Sequence, residues 1–281
     1  MDSIVTKQEQ RKNWNGLANA WGEWGDVFEL GAAPVSKALF DMAGLKPGDQ
    51  VLDIACGIGE PALSAGKIVG AKGKVVGIDI AEDMIAQAKM RGSASANVQF
   101  LAIDAAAYDI GVSCDAILSR FGFMFMPDYQ EVFKTSYAAL KSGGVLAFSV
   151  WDTPDQALTI SMAVGFFFRE LNLPPPPKDL PNPFCMANTD LVGIQLAALG
   201  FKDIEVRAVE APFIFESVAQ YLDFARALIP ASINKIIAEA CDAATVEALW
   251  QKLGMRVKEF ETASGTLSIK SSAFCIGATK R

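Results

Sequence analysis

The segment Val51-Leu52-Asp53-Ile54-Ala55-Cys56-Gly57-Ile58-Gly59-Glu60-Pro61-Ala62 constrains this chain more than any other. Four of its first five residues are apolar, with Asp53 the exception, so it opens as a buried strand. Gly57 and Gly59 then remove Cβ atoms where the backbone must turn sharply and approach a ligand. A helix is expected from Pro61 to Val69, because proline suits a first turn whose N–H groups have no partner in any case. Strand, glycine loop and helix in that order hold a nucleotide-like cofactor at the C-terminal end of a parallel strand.

Asp53 inside an apolar strand end is costly without a partner. A carboxylate there repels a pyrophosphate and attracts a cation. It argues against a nicotinamide dinucleotide and for S-adenosylmethionine, which carries an ammonium, a sulfonium and no phosphate. Lys74 to Asp79 reads as a second strand, ending in an acid about 20 residues after the glycines, where it can accept both ribose hydroxyls. Val98 to Ile103 reads as a third, ending at Asp104. Acids at the ends of three successive strands, beside one glycine loop, point to a single site rather than to three unrelated surface carboxylates.

Asp53-Ile54-Ala55-Cys56-Gly57-Ile58-Gly59 and Gly77-Ile78-Asp79-Ile80-Ala81-Glu82-Asp83-Met84 resemble the cofactor motifs of class I S-adenosylmethionine-dependent methyltransferases. The resemblance is to small-molecule enzymes of the ubiquinone and menaquinone biosynthesis type, and it is clearest over residues 14–151. It implies an α/β fold: a Rossmann-like sheet of seven strands, mostly parallel with the last antiparallel, with helices on both faces and helical cap insertions. One domain is expected over 1–281. Its parts are an N-terminal helical lid at 1–44, a cofactor-binding core at 45–151, a cap insertion at 152–189, and a C-terminal half at 190–281 with a helical insertion at 216–262.

The resemblance also assigns roles. Asp53, Gly57 and Gly59 take the methionine part, with Asp53 on the ammonium, and Asp79 takes the ribose. Asp104 and Ala105, in a short loop running to Tyr108, take the adenine edge. Met84 either packs on the adenine or is plain core. Phe121 lies near the methyl-bearing sulfur, and Arg120 pairs with the cofactor carboxylate or with a substrate acid. The run Ser119 to Asp128 lacks the Asn/Asp-Pro-Pro-aromatic sequence of enzymes that methylate nucleobases or protein amides. Its aromatic and thioether side chains, Phe125 among them, suggest an apolar substrate wall instead. Trp151, ending the fifth strand (Val145 to Trp151), is a substrate contact or core.

Composition narrows the field. The chain has 25 basic and 32 acidic residues, against a sequence-blind grip on nucleic acid. Its five cysteines, Cys56, Cys114, Cys185, Cys241 and Cys275, lack CxxC spacing and read as reduced thiols of a cytoplasmic protein. There is no histidine, so histidine acid–base chemistry is excluded and no metal site is expected. Met1 to Gln10 is polar, so no signal peptide is expected. No apolar run approaches the ~20 residues of a membrane span.

Residues 1–12 are expected to fray. From Asn13 to Phe28, the residues Trp14, Leu17, Trp21, Trp24 and Phe28 step by three and four along one helix face. Trp21 and Trp24 are either core or part of an aromatic lid over the substrate. Glycines 16, 22 and 25 weaken this helix, as suits a mobile element. A second helix is expected from Pro34 to Ala43. Tyr129 to Leu140 reads as a helix and Lys141 to Gly144 as a tight turn. Thr159 to Leu171 reads as a helix, followed by a proline-rich cap loop with Pro174 to Pro177, Pro181 and Pro183. Beyond it come a helix from Thr189, a strand from Phe201 to Phe215, helices at Ser217–Ile229 and Ser232–Phe260, and a last strand from Thr266 to Thr279.

The expected chemistry is in-line displacement of a methyl group onto a small, fairly hydrophobic acceptor in a dry chamber. Such a chamber excludes competing water, and holding the reactants in line can lower the barrier by ~7–11 kcal/mol. Asp128 and Tyr129 are the candidates for accepting a proton. Two rival readings stand beside this one. The pattern Gly57-x-Gly59-x-x-Ala62 with Asp79 also suits an NAD(P)-dependent oxidoreductase, though the Asp53 carboxylate before the glycines speaks against one. A non-catalytic interaction protein retaining the cofactor fold is the other.

Overall fold

A computed structural model describes residues 3–107, 113–174 and 180–281. Tyr108 and the prolines 175–177 of the cap loop lie outside the described residues. The framework is one seven-stranded sheet in the order β3-β2-β1-β4-β5-β7-β6. These strands are β1 (Gln50–Ile54), β2 (Lys74–Asp79), β3 (Val98–Ala102), β4 (Cys114–Arg120), β5 (Leu140–Trp151), β6 (Phe201–Phe215) and β7 (Leu267–Lys280). All neighbours from β3 through β5 pair in parallel, and β7 alone runs antiparallel, between β5 and β6. This is the Rossmann-like sheet expected from the motifs.

Helices α1 (Ser3–Ala43), α2 (Ala62–Val69), α3 (Glu82–Arg91), α4 (Tyr129–Ala139) and α5 (Leu158–Glu170) come before residue 175. After it come α6 (Thr189–Ala198), α7 (Val218–Leu228), α8 (Ala231–Ala240) and α9 (Ala243–Val257). Parallel strands are buried on both faces, so β4 and β5 read as apolar runs, with Ile117, Leu118, Leu146, Ala147 and Phe148 inaccessible to solvent. Among the described residues no helix is long and apolar enough to cross a membrane.

Several expected boundaries move. The two N-terminal helices are one helix of 41 residues that runs through Pro34. Pro34 cannot donate to the carbonyl of Leu30, but Leu30 is 79 % exposed, so water can replace that bond. Residues 3–12 are helical rather than frayed. Three glycines of α1, Gly22, Gly25 and Gly31, are contact points, whereas Gly16 faces open space. A Cβ on Gly25 would collide with Ile58 Cδ1, and one on Gly31 with the Phe213 ring. Their absence lets α1 lie against the glycine loop and β6.

The stretch Lys141 to Gly144 is not a separate turn. It belongs to β5, beside an irregular register between Cys114 and Ala116 of β4. The expected long helix Ser232–Phe260 divides at Cys241 and Asp242, because the Asp242 carboxylate accepts the Thr245 N–H and caps a new helix.

Candidate functional site

Two acids line the glycine turn. Asp53 lies in β1, opposite Gly77 of β2 and Leu118 of β4, and has no solvent exposure. Its Oδ2 accepts the Ala62 N–H at 3.0 Å, at the start of α2. Its Oδ1 is buried and accepts no hydrogen bond. Burial pushes its pKa well above the ordinary carboxylate range, and the nearby Arg120 guanidinium and the Ala62 N–H pull back only in part. Asp79, ending β2, binds the loop directly: its Oδ2 accepts the Gly57 N–H at 3.0 Å and its Oδ1 the Ala81 N–H at 2.9 Å. Burial raises its pKa too, against those bonds. Gly57 (φ 52°) and Gly59 (φ 115°) take backbone conformations closed to most side chains.

Asp104 is the outermost of the three acids. Its Oδ1 accepts the Ala106 N–H at 3.0 Å, in a short 3₁₀ turn that begins at Ala105. Its Oδ2 pairs with Lys7 of α1 at 2.7 Å, and the same ammonium pairs with Asp128 at 2.5 Å. Partial burial works against the Lys7 charge, but the two carboxylates outweigh it and raise its pKa. Arg11, one turn on, pairs with Glu82 at the start of α3. Between these groups lies a cavity of about 340 Å³, lined by Lys7, Arg11, Ile80, Glu82, Ile103 and Asp104 among others. It opens at the C-terminal ends of β2 and β3, where Asp79 and Asp104 were expected to bind the nucleoside.

Met84 is buried in a small cluster with Leu17, Ala18, Ile58 and Ala81. The tip of the glycine loop is thus covered by α1. Trp21 packs beside that cluster, and its indole N–H is buried without an acceptor.

Phe121 and Trp151 are brought together at the ends of β4 and β5. Their rings stack with centroids 3.9 Å apart and 9° between planes. Phe28, Trp151 and Phe213 pack edge-on or tilted around one another. Phe121 holds a left-handed backbone, φ 60°, which a bulky residue rarely adopts. Its N–H donates to the Ser149 carbonyl at 3.0 Å and Oγ at 3.1 Å, which fixes that conformation. Strain of this kind collects at functional sites.

The remaining expected residues are placed as follows. Arg120 is buried and paired with Glu29 of α1, with Ser36 Oγ accepting a further bond at 2.8 Å. Phe125 lies edge-on to Trp14, and Trp24 edge-on to Phe224 of α7. Neither makes one of the ring contacts around Phe121. Tyr129 bonds Gln195 of α6 through its hydroxyl, at 3.1 Å. Asp128 is held by Lys7. Glu29, Lys7, Ser36 and Ser149 were not anticipated. Only Glu29 left a trace: a lone charge within Val27-Phe28-Glu29-Leu30 needs a partner.

The arrangement fits a cationic, nucleoside-bearing cofactor. Asp53 Oδ1 is a buried carboxylate oxygen without a donor, and a cavity is walled by the residues at the ends of the second and third strands.

Comparison with known proteins adds an independent line. The sequence profile of the ubiE/COQ5 methyltransferase family matches residues 5–171. A demethylmenaquinone methyltransferase of Lactococcus lactis is 36% identical over 149 residues, which is 50% of this chain and 57% of that protein. The chloroplastic 2-phytyl-1,4-beta-naphthoquinone methyltransferase of Arabidopsis thaliana is 29% identical over 166 residues, 57% of this chain and 64% of that protein. The chain therefore spans about three fifths of the length of these relatives. A crystal structure of a methyltransferase-like protein from Bacillus halodurans superposes with a TM-score of 0.54 at 20% identity, covering 87% of this chain and 98% of that one, and so shares the fold. Because the profile runs over more than half of the residues, from α1 through α5, the chain belongs to the ubiE/COQ5 methyltransferase family.

Proposed function

We propose that this protein is an enzyme that transfers a methyl group from S-adenosylmethionine to a small, flat, apolar acceptor of the reduced-quinone kind. The observation that carries the reading is the Asp53 carboxylate, buried beside the glycine turn with Oδ1 unpaired. Family membership and the named quinone-methylating relatives support it.

When bound, S-adenosylmethionine supplies an electrophilic methyl carbon on a positive sulfur. The chain's own residues do the rest. Asp53 Oδ1 accepts from the ammonium. Asp79 orients the ribose with the acceptor capacity that Gly57 and Ala81 leave free, since a carboxylate has about four lone-pair sites. Asp104 and the Ala105 N–H face the adenine at the cavity, and Met84 supports it from below. Phe121 and Trp151 part to admit a flat ring and then wall it off from water. Trp21 and Trp24 on α1, with Phe125, form the outer wall of the acceptor path. Arg120 holds α1 in place through Glu29.

In this reading residues 1–44 are a cover that lifts for exchange, breaking the Lys7 and Arg11 pairs as it moves. The protein works in the cytoplasm, which suits five unpaired cysteines, three of them buried. A net charge of −7 keeps nucleic acid off its surface.

The test is transfer of an isotope-labelled methyl group to a panel of reduced naphthoquinones, reduced benzoquinones, simple phenols and amines, read by mass spectrometry. Label on a reduced quinone is expected. Label on amines alone, or none on any acceptor, contradicts the proposal.

A further inference from the structure

β6 is the outer strand of the sheet, paired with β7 on one side and with no strand on the other among the described residues. From Glu205 to Ala208 its side chains are exposed, with Val206 at 42 %. An open edge of this kind templates pairing with another chain unless something blocks it.

Pro212 tells which backbone groups face outward. It pairs opposite Lys270 with no N–H to donate, so its nitrogen points away from β7. The register is unbroken from Glu205 to Phe215. With a period of two, Val206, Ala208 and Glu210 therefore share Pro212's direction and turn their N–H and C=O groups to the open side.

The charges on this edge then choose a register. Consider two copies of β6 meeting antiparallel about a two-fold axis. Centred on Glu205, two carboxylates face each other. Centred on Arg207, two guanidiniums do. Centred on Val206, each Glu205 faces the Arg207 of the other copy, and the two Val206 residues meet as a hydrogen-bonded pair. Glu205 and Arg207 already lie on one face, bonded to each other at 2.9 Å within the chain. The two-fold axis would join two such pairs into a quartet of alternating sign. Opposite charges directly across an antiparallel pair stabilise it, and like charges destabilise it. α6 also packs on β6 and leaves Leu191 (50 %) and Ile194 (67 %) exposed.

We propose that two copies of this chain associate edge to edge through β6, antiparallel about Val206, so that the two sheets become one. The contact is independent of the methyl-transfer reading, and none of its residues lies in the cofactor or acceptor site.

Sedimentation velocity on the full chain tests it, with wild type, Arg207→Glu, Glu205→Arg, and an equimolar mixture of the two variants. Wild type is expected as a dimer. Each variant alone sets like charges against each other and should raise the dimer dissociation constant by about tenfold or more. The mixture should recover the dimer, because an acidic strand then meets a basic one. Unchanged circular dichroism and melting of both exposed-site variants separate loss of pairing from loss of fold. A monomeric wild type, variants that dimerise as tightly as wild type, or a mixture that stays monomeric overturns the proposal.

Discussion

Arg120 and Glu29 form a two-pronged ion pair across the seam between β4 and α1, with Nη1 donating to Oε2 at 2.6 Å and Nη2 to Oε1. The Arg120 side chain is only 5 % exposed, and Ser36 and the Glu60 carbonyl take its remaining bonds. Burial works against its charge, yet the Glu29 carboxylate outweighs that and raises its pKa. The pair joins α1 to the end of β4, immediately before Phe121.

Removing one partner of such a pair strands the other charge in a place water barely reaches. Glu29→Gln should therefore cost about 3 kcal/mol of stability, measured by urea denaturation. It should also loosen α1, read as faster amide hydrogen exchange over residues 26–36. A cost below about 0.5 kcal/mol, the range of ordinary surface substitutions, would show that the pair does not hold α1 down.

The glycines of α1 should divide by what faces them. A Cβ on Gly16 would meet nothing within 4 Å, whereas one on Gly31 would face the buried ring of Phe213. Gly16→Ala should stabilise by up to about 1 kcal/mol, the usual helix preference of alanine over glycine. Gly31→Ala should destabilise by about 1–3 kcal/mol despite that preference, because the ring must move. Thermal unfolding of the two variants checks the pair. Equal shifts of the same sign would mean that α1 does not lie as close to β6 as described.

Burial raises the pKa of both Asp53 and Asp79. A carboxyl with a higher pKa folded than unfolded stabilises the fold in its protonated form. That contribution is full below the unfolded value, about 3.9, and is lost as pH climbs through the raised folded value. The contribution of Asp53 and Asp79 to the stability of the free protein should therefore fall as pH rises above about 4, while Asp115, Asp155, Glu205, Asp242 and Glu247, whose pKa values are shifted down, contribute the opposite slope. Asp53→Asn should flatten much of this slope and leave the variant more stable than wild type at neutral pH. Denaturant titrations across the pH series measure it. A stability difference between Asp53→Asn and wild type that does not grow as pH rises over this interval would contradict the description of Asp53.

The strands, the glycine turn and the three acids were legible because their signals are local: period, turn chemistry and a charge out of place. The continuity of α1 was not. Pro34 and the glycines read as breaks, and only the packing of Gly25 on Ile58 and Gly31 on Phe213 shows why the helix runs on. The partner of Arg120 was out of reach for the same reason, since Glu29 lies 91 residues away in the chain. Likewise, nothing short-range announced that Lys7 would span Asp104 and Asp128. Fold class follows from patterns that repeat every two to four residues; the cover of the site follows from contacts between distant segments.

In the proposed function, Asp53 holds a cation beside the glycine turn. Calorimetric titration of S-adenosylmethionine into wild type and Asp53→Asn tests it most directly. Wild type should bind, and the variant, folded and more stable, should bind at least about tenfold more weakly, as expected for a lost charge-assisted hydrogen bond. Equal affinity in the two proteins, or no binding by wild type, would contradict the account.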